Sequence, residues 1–258
     1  MSNCVVSIIM PCFNAIEYTK QAIKSVLINT NVNYELILIN NGSQDGTKEY
    51  FDYLKNKLKA KGFLKKITIL QFEQNLGVAK SLNLGISKSV GKYVCYLNSD
   101  TIVTKNWLLK MVRRFKIDKK VSVVGTMFNK FEDKNFVKQV QKNKSVVDKI
   151  AIYVNILNKD KTKKADMVHG LCMLMKKNIF KEIGMFDEKF YPCFGEDLEF
   201  IERLKKHKYK MVDAMDVFIF HYWNQSSITK YFNKQYGSIK KIRQKQYELF
   251  SIPKKYKI

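Results

Sequence analysis

The segment KYVCYLNSDT, residues 92–101, changes from apolar to polar character between two neighbouring residues. The run Tyr93–Leu97 has the length and the aromatic and β-branched composition of a buried strand. Three polar residues, Asn98, Ser99 and Asp100, follow it directly. A strand that ends in this way puts those residues at one edge of a sheet. There an Asp either shapes a turn or holds a hard metal ion.

The residues upstream repeat this pattern. The predicted strands are Val5–Met10, Glu35–Ile39, Lys66–Phe72 and Lys92–Leu97. Between them, apolar residues recur at helical spacing, which predicts helices over 17–28, after Asp45 or Thr47, and over 76–89. The order β-α-β-α-β-α-β predicts an α/β fold with a doubly wound, mostly parallel central sheet and helices on both faces. Ligands of such sheets bind beyond the carboxyl ends of the strands.

The second half of the chain is less regular. The predicted helices are 105–115 and 196–206, and the predicted strands are Val121–Thr126, Val168–Met175, Met211–Val212 and Val217–Phe220. Residues 129–165 are rich in Lys and Asn and have weak patterning, so we expect a long, partly mobile excursion there. We predict one domain over 1–225, made of two halves, 1–101 and 102–225. A basic helical tail follows at 226–258.

The charge of the chain indicates an anionic partner. It has 47 basic and 23 acidic residues, for a net charge of +24. A membrane surface, a nucleic acid or a phosphorylated substrate would suit this charge, and so would a proteome that simply favours lysine. Only four of the basic residues are arginine. Because base reading relies on bidentate Arg, we expect no specific nucleic acid.

The tail concentrates this charge. Residues 229–258 contain nine Lys or Arg, one acidic residue and six aromatic residues. Phe232, Tyr236, Ile239 and Ile242 have helical spacing, which predicts a basic amphipathic helix. Such a helix either lies on an anionic membrane or packs back on the domain with its lysines in solvent. The sequence leaves both interpretations open.

Several classes of protein are disfavoured. No apolar run approaches the roughly 20 residues of a membrane span, and the N-terminus lacks a signal-peptide pattern. Five cysteines without a CxxC pair are typical of a reducing compartment, so we expect a cytoplasmic location, with peripheral contact at the inner membrane as an option. The motif GxGxxG is absent, and the P-loop-like run Gly85–Lys92 has the wrong spacing and precedes a strand. The three histidines lie far apart, which disfavours a structural zinc site.

Four segments, taken in order, carry a resemblance to a known family. They are VSIIMPCFN (6–14), YELILINNGSQDGT (34–47), NLGVAKSLNLGISKSVGKYVCYLNSDT (75–101) and GLCMLMKKNIFKEIGMFDEKFYPCFGEDLEFIERL (170–204). Together they resemble family 2 of the inverting, nucleotide-sugar-dependent glycosyltransferases, which have the GT-A fold. The resemblance extends over most of the chain, from Val5 to His221.

The chemistry of sugar transfer fits these residues. Charge that builds on a leaving diphosphate must be neutralised, and the acceptor hydroxyl must lose a proton to a carboxylate. Asp100, at a strand end, is placed to hold Mn²⁺ or Mg²⁺. The resemblance implies that Asp197 of the pair Glu196-Asp197 is the general base, and that His221 is a further metal ligand. The alternatives are structural, because acidic residues favour a helix N-terminus and a lone His at a strand end often only packs.

The same resemblance implies a donor site at the first strand ends. The residues that match are Pro11, Asn14, Asn40, Asn75, Asn98 and Ser99. Asn40 stands where the family usually has an Asp that accepts the imide N–H of uracil or thymine. Its amide oxygen can accept that bond without charge assistance, and its amide nitrogen would suit cytosine. UDP-sugar or dTDP-sugar is the first expectation.

The sequence thus predicts a metal-dependent inverting glycosyltransferase that acts by single displacement on a glycan or lipid-linked acceptor. Two alternatives remain. A sugar-phosphate nucleotidyltransferase would need a glycine-rich, basic loop after the first strand, where this chain has CFNAIEY. A lysine-rich nucleic-acid-binding protein would explain the charge without using Asp100, Asp197 or His221.

Overall fold

The structure, a computed structural model, describes residues 5–60, 67–129 and 134–223, together with Gln244 and Glu248. The strands are β1 Val6–Cys12, β2 Tyr34–Asn41, β3 Ile67–Phe72, β4 Tyr93–Leu97, β5 Thr101–Val103, β6 Val121–Phe128, β7 Thr162–Lys164, β8 Cys172–Lys176 and β9 Lys210–His221. The helices are α1 Ile16–Asn29, α2 Thr47–Ala60, α3 Val78–Lys88, α4 Trp107–Ile117, α5 Lys134–Lys142, α6 Ser145–Asn158, α7 Ile179–Ile183 and α8 Glu196–Lys206.

The strands form one mixed sheet in the order β3-β2-β1-β4-β8-β6-β9-β5, with β7 paired to β9. The first four strands are parallel to one another, and β6 is parallel to β9. Strand β8 runs antiparallel to both β4 and β6, and it joins the two halves of the chain. Most paired residues belong to parallel ladders, so the predicted mostly parallel α/β sheet is confirmed.

Both faces of this sheet are covered by helices, as predicted. Alternate residues of β1 enter different cores, because successive side chains of a strand point to opposite faces. Ile8 and Met10 belong to the cluster that contains Ile23 of α1. Ile9 belongs to the other cluster, with Leu82 of α3. This double burial explains why the strands of the first half are continuous apolar runs.

The prediction of an irregular excursion at 129–165 is wrong. The region contains α5, α6 and β7. Buried Val137, Val140 and Val147 pack with Phe218 and Phe220 of β9 in a third cluster. In α5, few inward-facing residues among lysines make the apolar pattern weak, and in α6 apolar residues on two faces obscure a one-sided helical pattern.

The predicted strands Met211–Val212 and Val217–Phe220 are also wrong as two elements, because both belong to β9. The pairing of β9 with β6 shifts register after Ala214, which pairs with Thr126. The interruption in the apolar pattern marks this irregularity rather than a loop. Strand β5 and helix α7 were not predicted; each has five residues or fewer.

The division into two halves at residue 101 stays a prediction, since one sheet contains strands from both. The predicted tail at 226–258 lies outside the described residues apart from Gln244 and Glu248. In the described part of the chain, no helix combines the length and the apolar character needed to cross a bilayer.

A buried ion pair holds the irregular part of β9 against α4. Arg114 and Asp216 are both almost fully buried and are joined through the Arg114 guanidinium. Arg114 also donates to the backbone oxygen of Asp160, at 2.9 Å. Its neighbour Arg113 pairs with the Asp160 carboxylate at 3.1 Å, but the Arg113 side chain is 58% exposed against 1% for Arg114.

These two adjacent arginines make a matched test of the fold. Arg114→Leu should lower the free energy of unfolding by about 3–5 kcal/mol, because it leaves Asp216 buried without its partner. Arg113→Leu should cost less than about 1 kcal/mol, since an exposed ion pair contributes little. Urea unfolding of both variants measures the difference. Equal losses would contradict the assigned role of Arg114.

Candidate active site

The carboxyl ends of four strands meet at one edge of the sheet. Strands β1, β2 and β4 are parallel neighbours, so the residues that follow them lie at the same edge. The end of β9 lies at this edge because it pairs with the three-residue strand β5, which follows β4. Thr101 pairs with His221 across the β5–β9 ladder, and Asp100 immediately precedes Thr101. The short, unpredicted β5 therefore places His221 beside Asp100.

Asp100 and His221 form the centre of the site. His221 Nε2 lies 2.8 Å from Asp100 Oδ1, and both residues are buried. Asn98 Nδ2 lies 3.3 Å from the same ring nitrogen. The backbone N–H of Tyr222 donates to the Asp100 carbonyl oxygen at 3.0 Å, which fixes the strand end. The two residues predicted to bind metal are thus brought into direct contact.

The His221 ring is held from its backbone and from one face. The His221 N–H donates to Asn129 Oδ1 at 2.8 Å, and Asn129 Nδ2 donates to the His221 carbonyl oxygen at 3.0 Å. The indole ring of Trp223 lies 4.4 Å from the imidazole centroid. Nδ1 of His221 is buried without a hydrogen-bond partner. The imidazole is oriented by packing, with only Nε2 directed at Asp100.

The donor set fits an open divalent-metal site. A carboxylate oxygen and an imidazole nitrogen that converge on one point are accepted ligands of Mn²⁺, and the carboxylate suits Mg²⁺. Among the described residues, no group of three or more His, Cys, Asp or Glu side chains could hold a metal ion. Asp100 and His221 would therefore leave most coordination positions to ligands from outside the protein, such as diphosphate oxygens.

The second predicted feature, the pair Glu196-Asp197, starts α8. Asp197 Oδ1 accepts the N–H of Leu198 at 2.9 Å, and Asp197 Oδ2 accepts the N–H of Gly170 at 3.2 Å. Glu196 is buried, and its Oε2 has no hydrogen-bond partner. The Asp197 carboxylate is therefore fixed by backbone donors, whereas Glu196 has one orphaned oxygen.

Burial raises the pKa of both carboxyls, because it disfavours the charged form. The charge of Asp197 raises the pKa of Glu196 further. The pKa of Asp197 is lowered in turn by its backbone hydrogen bonds and by the nearby His169. Asp197 has more groups that favour its ionised form than Glu196 has, namely its backbone hydrogen bonds and the nearby His169.

The metal pair and the carboxylate pair share one neighbourhood. Burial raises the pKa of the Tyr96 phenol well above its usual range, and the charges of Glu196, Asp197 and Asp100 raise it further. Tyr96 lies on β4, the strand that leads to Asp100. The charges of the predicted metal ligand Asp100 and of the pair Glu196-Asp197 thus act on the same buried tyrosine, although about a hundred residues separate them in the sequence.

His169 was not among the predicted site residues, yet it belongs to this neighbourhood. Burial lowers the pKa of its imidazole, the charge of Asp197 raises that pKa, and His221 lowers it. Its ring packs edge-on against Phe128 at a centroid distance of 4.5 Å. No motif spacing pointed to it, and its position directly before Gly170, which donates to Asp197, was the one available signal.

The predicted donor residues lie at the carboxyl ends of β1, β2, β3 and β4 or in the loops that follow them. The Asn14 N–H donates to Ser43 Oγ at 2.9 Å, and Asn14 Oδ1 accepts the N–H of Gln44 at 2.8 Å. Asp45 accepts the N–H of Ile16 at 2.7 Å and the N–H of Thr47 at 3.2 Å. These bonds join the first two loops, and Asp45 orders the turn as expected.

Asn40 and Asn75 are engaged in the same loops. Asn40 Nδ2 donates to Gln71 Oε1 at 2.8 Å, and Asn40 Oδ1 accepts the N–H of Ser43 at 3.0 Å. Asn75 Oδ1 accepts from Asn41 Nδ2 at 2.7 Å and from the N–H of Gly77 at 2.9 Å. Asn41, which the sequence did not single out, closes the loop because its Oδ1 accepts the N–H of residue 76 at 2.8 Å.

Pro11 and Ser99 complete the set. Pro11 pairs with Ile39 in the β1–β2 ladder, one residue before the end of β1. Ser99 lies beside the buried thiol of Cys12, the last residue of that strand. The predicted donor residues therefore surround the ends of β1, β2 and β4, and their roles toward a nucleotide stay predictions.

Solved structures share this architecture. The chain superposes on GalNAc-T7 solved with UDP, GalNAc and Mn²⁺, with a TM-score of 0.65 and 14% identity, over 89% of this chain and 48% of that one. It also superposes on the mannosyltransferase PcManGT from Pyrobaculum calidifontis, solved with GDP-Man and Mn²⁺. That match has a TM-score of 0.63 and 14% identity, over 94% of this chain and 64% of the other. The predicted GT-A fold is confirmed.

Sequence comparison assigns the family. Residues 7–184 match the sequence model of Glycosyl transferase family 2. An uncharacterized glycosyltransferase of Haemophilus influenzae is 28% identical over 209 residues, which cover 78% of this chain and 60% of that relative. The chain belongs to glycosyl transferase family 2, as its motifs predicted. It spans about 60% of the length of that relative.

Gly170 gives a test of the Asp197 position. A Cβ at residue 170 would lie 2.7 Å from Asp197 Oδ2. Gly170→Ala should therefore displace that carboxylate and lower the turnover number about 100-fold, a typical loss for a displaced catalytic group. The measurement is steady-state turnover of a nucleotide-sugar donor.

The control is Gly184→Ala at the end of α7. It strains a backbone with a φ of +84°, but its Cβ would meet only Arg203, at 3.5 Å. Assayed below the unfolding temperature of both variants, Gly184→Ala should retain the wild-type turnover number. Equal turnover numbers in the two variants would contradict the proposed sensitivity of Asp197.

Proposed function

We propose that this chain transfers a sugar from a nucleotide diphosphate donor to a hydroxyl group of a glycan or glycolipid acceptor. Transfer proceeds by a single displacement with inversion, assisted by Mn²⁺ or Mg²⁺. The observation that carries the proposal is the direct contact of Asp100 with His221 at the edge of the sheet, with Asp197 in the same neighbourhood, since the charges of Asp100 and Asp197 both act on Tyr96.

A metal ion fits this proposal on electrostatic grounds. Asp100, Glu196 and Asp197 put three carboxyl groups in one buried neighbourhood. A diphosphate is itself anionic, so it would be repelled by ionised carboxylates in a region of low dielectric. Asp100 and His221 would hold the cation, which when bound would neutralise charge on the leaving diphosphate. The two superposed transferases were both solved with Mn²⁺, which supports this assignment.

Asp197 acts as the general base in this proposal. The N–H groups of Leu198 and Gly170 fix both of its oxygens, so the carboxylate is positioned before the acceptor arrives. Its raised pKa makes the ionised form a stronger base than an exposed aspartate. Glu196 stays protonated beside it, which avoids a second buried negative charge. In this proposal the acceptor hydroxyl, deprotonated by Asp197, attacks the donor sugar directly. A single displacement of this kind needs no protein nucleophile and inverts the configuration of the sugar.

The donor base contacts the amide pair of Asn40 and Gln71. Gln71 Nε2 is buried without a partner, so it can donate to a base carbonyl. Asn40 Oδ1 accepts one N–H from Ser43 and retains a second lone pair for an imide N–H. Uracil and thymine present both groups, so UDP-sugar or dTDP-sugar is the donor class. The two superposed structures contain UDP and GDP-Man, which supports a nucleotide donor without fixing its base.

The acceptor is a glycan or a lipid-linked glycan, and the location is cytoplasmic, at the inner face of the membrane. The two alternatives explain less of the site. A nucleotidyltransferase would need a glycine-rich, basic loop after β1, which this chain lacks. A nucleic-acid-binding protein would have no use for an Asp197 carboxylate that is fixed by backbone donors.

Asp197→Asn tests the proposed reaction. A thermal-shift screen of nucleotide sugars with and without Mn²⁺ first identifies the donor. The substitution should then lower turnover of that donor about 10²- to 10⁴-fold, the usual contribution of a general base. Affinity for the nucleotide should stay unchanged, because Asp197 contacts the acceptor side of the reaction.

Asp118→Asn is the matched control, since Asp118 pairs with Lys210 at the surface. It should turn over at the wild-type rate. If Asp197→Asn turned over the donor as fast as the wild type and Asp118→Asn do, the assignment of Asp197 as the general base would be wrong.

A further inference from the structure

Helix α6 has two apolar faces, and only one of them is covered. Val147, Ile150, Ala151 and Val154 pack in the cluster that contains Phe218 and Phe220 of β9. The remaining apolar side chains point to solvent with exposed fractions of 50–71%. These residues, the outer face of α6, are Ile152, Tyr153, Ile156 and Leu157.

The outer face forms one continuous stripe. Ile152 and Ile156 are four residues apart, as are Tyr153 and Leu157, so the four side chains are neighbours on the helix surface. Single exposed apolar residues are ordinary, whereas a contiguous group of them marks a binding surface. Among the residues that the structure describes, no element covers this side of the helix, and its exposed apolar stripe calls for an apolar partner.

Exposed lysines flank the outer face along the chain. Eight exposed lysines lie between residues 138 and 164, against two aspartates. The lysines are Lys138, Lys142, Lys144, Lys149, Lys159, Lys161, Lys163 and Lys164. One of the aspartates, Asp160, is already paired with Arg113. The partner must therefore be apolar where it meets the helix and anionic around that contact.

We propose that the outer face of α6 docks on an anionic lipid bilayer. A helix of this composition lies in the plane of the interface, with its apolar side chains inserted below the headgroups. Each lysine near an anionic surface adds about 1 kcal/mol of attraction. Lysine stems also reach along an apolar surface while their ammonium groups stay at the headgroups. An anionic bilayer therefore offers a partner both to the apolar stripe and to the lysines that flank it.

Other occupants fit less well. A second copy of the chain would bring the same lysines against each other across a two-fold interface. The C-terminal segment 229–258 carries nine basic residues and one acidic residue, so it shares the sign of this surface. A nucleic acid would match the lysines but would leave the apolar stripe exposed to water.

Docking would bring the bilayer close to the site. The inner face of α6 packs on β9, and β9 ends at His221. Only the helix α6 would then lie between the membrane and β9, the strand that ends at His221. For the acceptor, which rests on the proposed function, this favours the lipid-linked class over a free glycan.

Vesicle co-sedimentation of the full chain tests the proposal. The wild type should bind vesicles of phosphatidylcholine with about 30% phosphatidylglycerol and should bind phosphatidylcholine alone weakly, since attraction requires anionic headgroups. Ile152→Glu/Ile156→Glu should lower the partition coefficient for anionic vesicles about tenfold or more, because it removes two inserted side chains.

The control is Leu27→Glu/Ile28→Glu on α1. Leu27 is 39% exposed and Ile28 is 69% exposed, so this variant makes the same change of charge at another exposed apolar pair. It should keep most of the binding. An equal loss in both variants would reduce the effect to net charge and overturn the assignment to α6.

A reporter variant gives a second measurement. In Ile156→Trp the indole emission should shift to shorter wavelength with anionic vesicles and stay unchanged with neutral ones. No vesicle binding by the wild type would overturn the proposal, as would a wild-type dimer that Ile152→Glu/Ile156→Glu dissociates. Stronger binding to duplex DNA than to vesicles at physiological salt would assign the surface to nucleic acid instead.

The outcome is separate from that of the proposed function. Nucleotide binding with Mn²⁺ should be the same in the wild type and in both glutamate variants, because neither pair lies at the strand ends. If Ile152→Glu/Ile156→Glu loses vesicle binding but keeps nucleotide binding, the result bears on the outer face of α6 and leaves the proposed function untouched. Loss of both would report unfolding, which thermal denaturation detects independently.

Discussion

The contact between the Asp100 carboxylate and the His221 imidazole joins residues that are 121 positions apart in the chain. It depends on one register, the pairing of Thr101 with His221 between β5 and β9. A shift of this ladder by one residue would point His221 to the other face of the sheet. The position of β9 depends in turn on the buried pair of Arg114 and Asp216 at its irregular segment. The site is therefore assembled by long-range sheet pairing.

Charge is distributed in opposite ways over the surface and the site. The chain as a whole carries a net charge of +24, whereas the centre of the site gathers the buried carboxyl groups of Asp100 and Glu196 and the half-buried one of Asp197. In the proposed function, the basic surface would attract an anionic donor or membrane from a distance, and the acidic centre would need a cation before a diphosphate could bind there. The two features act at different ranges and serve the same proposed reaction.

The first half of the fold could be predicted because its strands are buried on both faces and its helices are plainly amphipathic. Asp100, Asp197 and His221 were found through motifs, and the structure brings them together. Helix α5 was missed because its few inward residues are diluted by lysines, and α6 because apolar residues on two of its faces hide the one-sided helical pattern. His169 and β5 were missed for a related reason, since their positions follow from pairing between distant strands, which local periodicity does not encode.

The most direct test of this account is the affinity for UDP, measured by titration calorimetry with Mn²⁺ and with a chelator. If Asp100 and His221 form the metal and diphosphate site, Mn²⁺ should tighten UDP binding by the wild type about tenfold or more, in line with the loss seen when metal-site residues are changed. Asp100→Asn should bind UDP equally in both conditions. A variant that kept the full Mn²⁺ dependence would contradict the account.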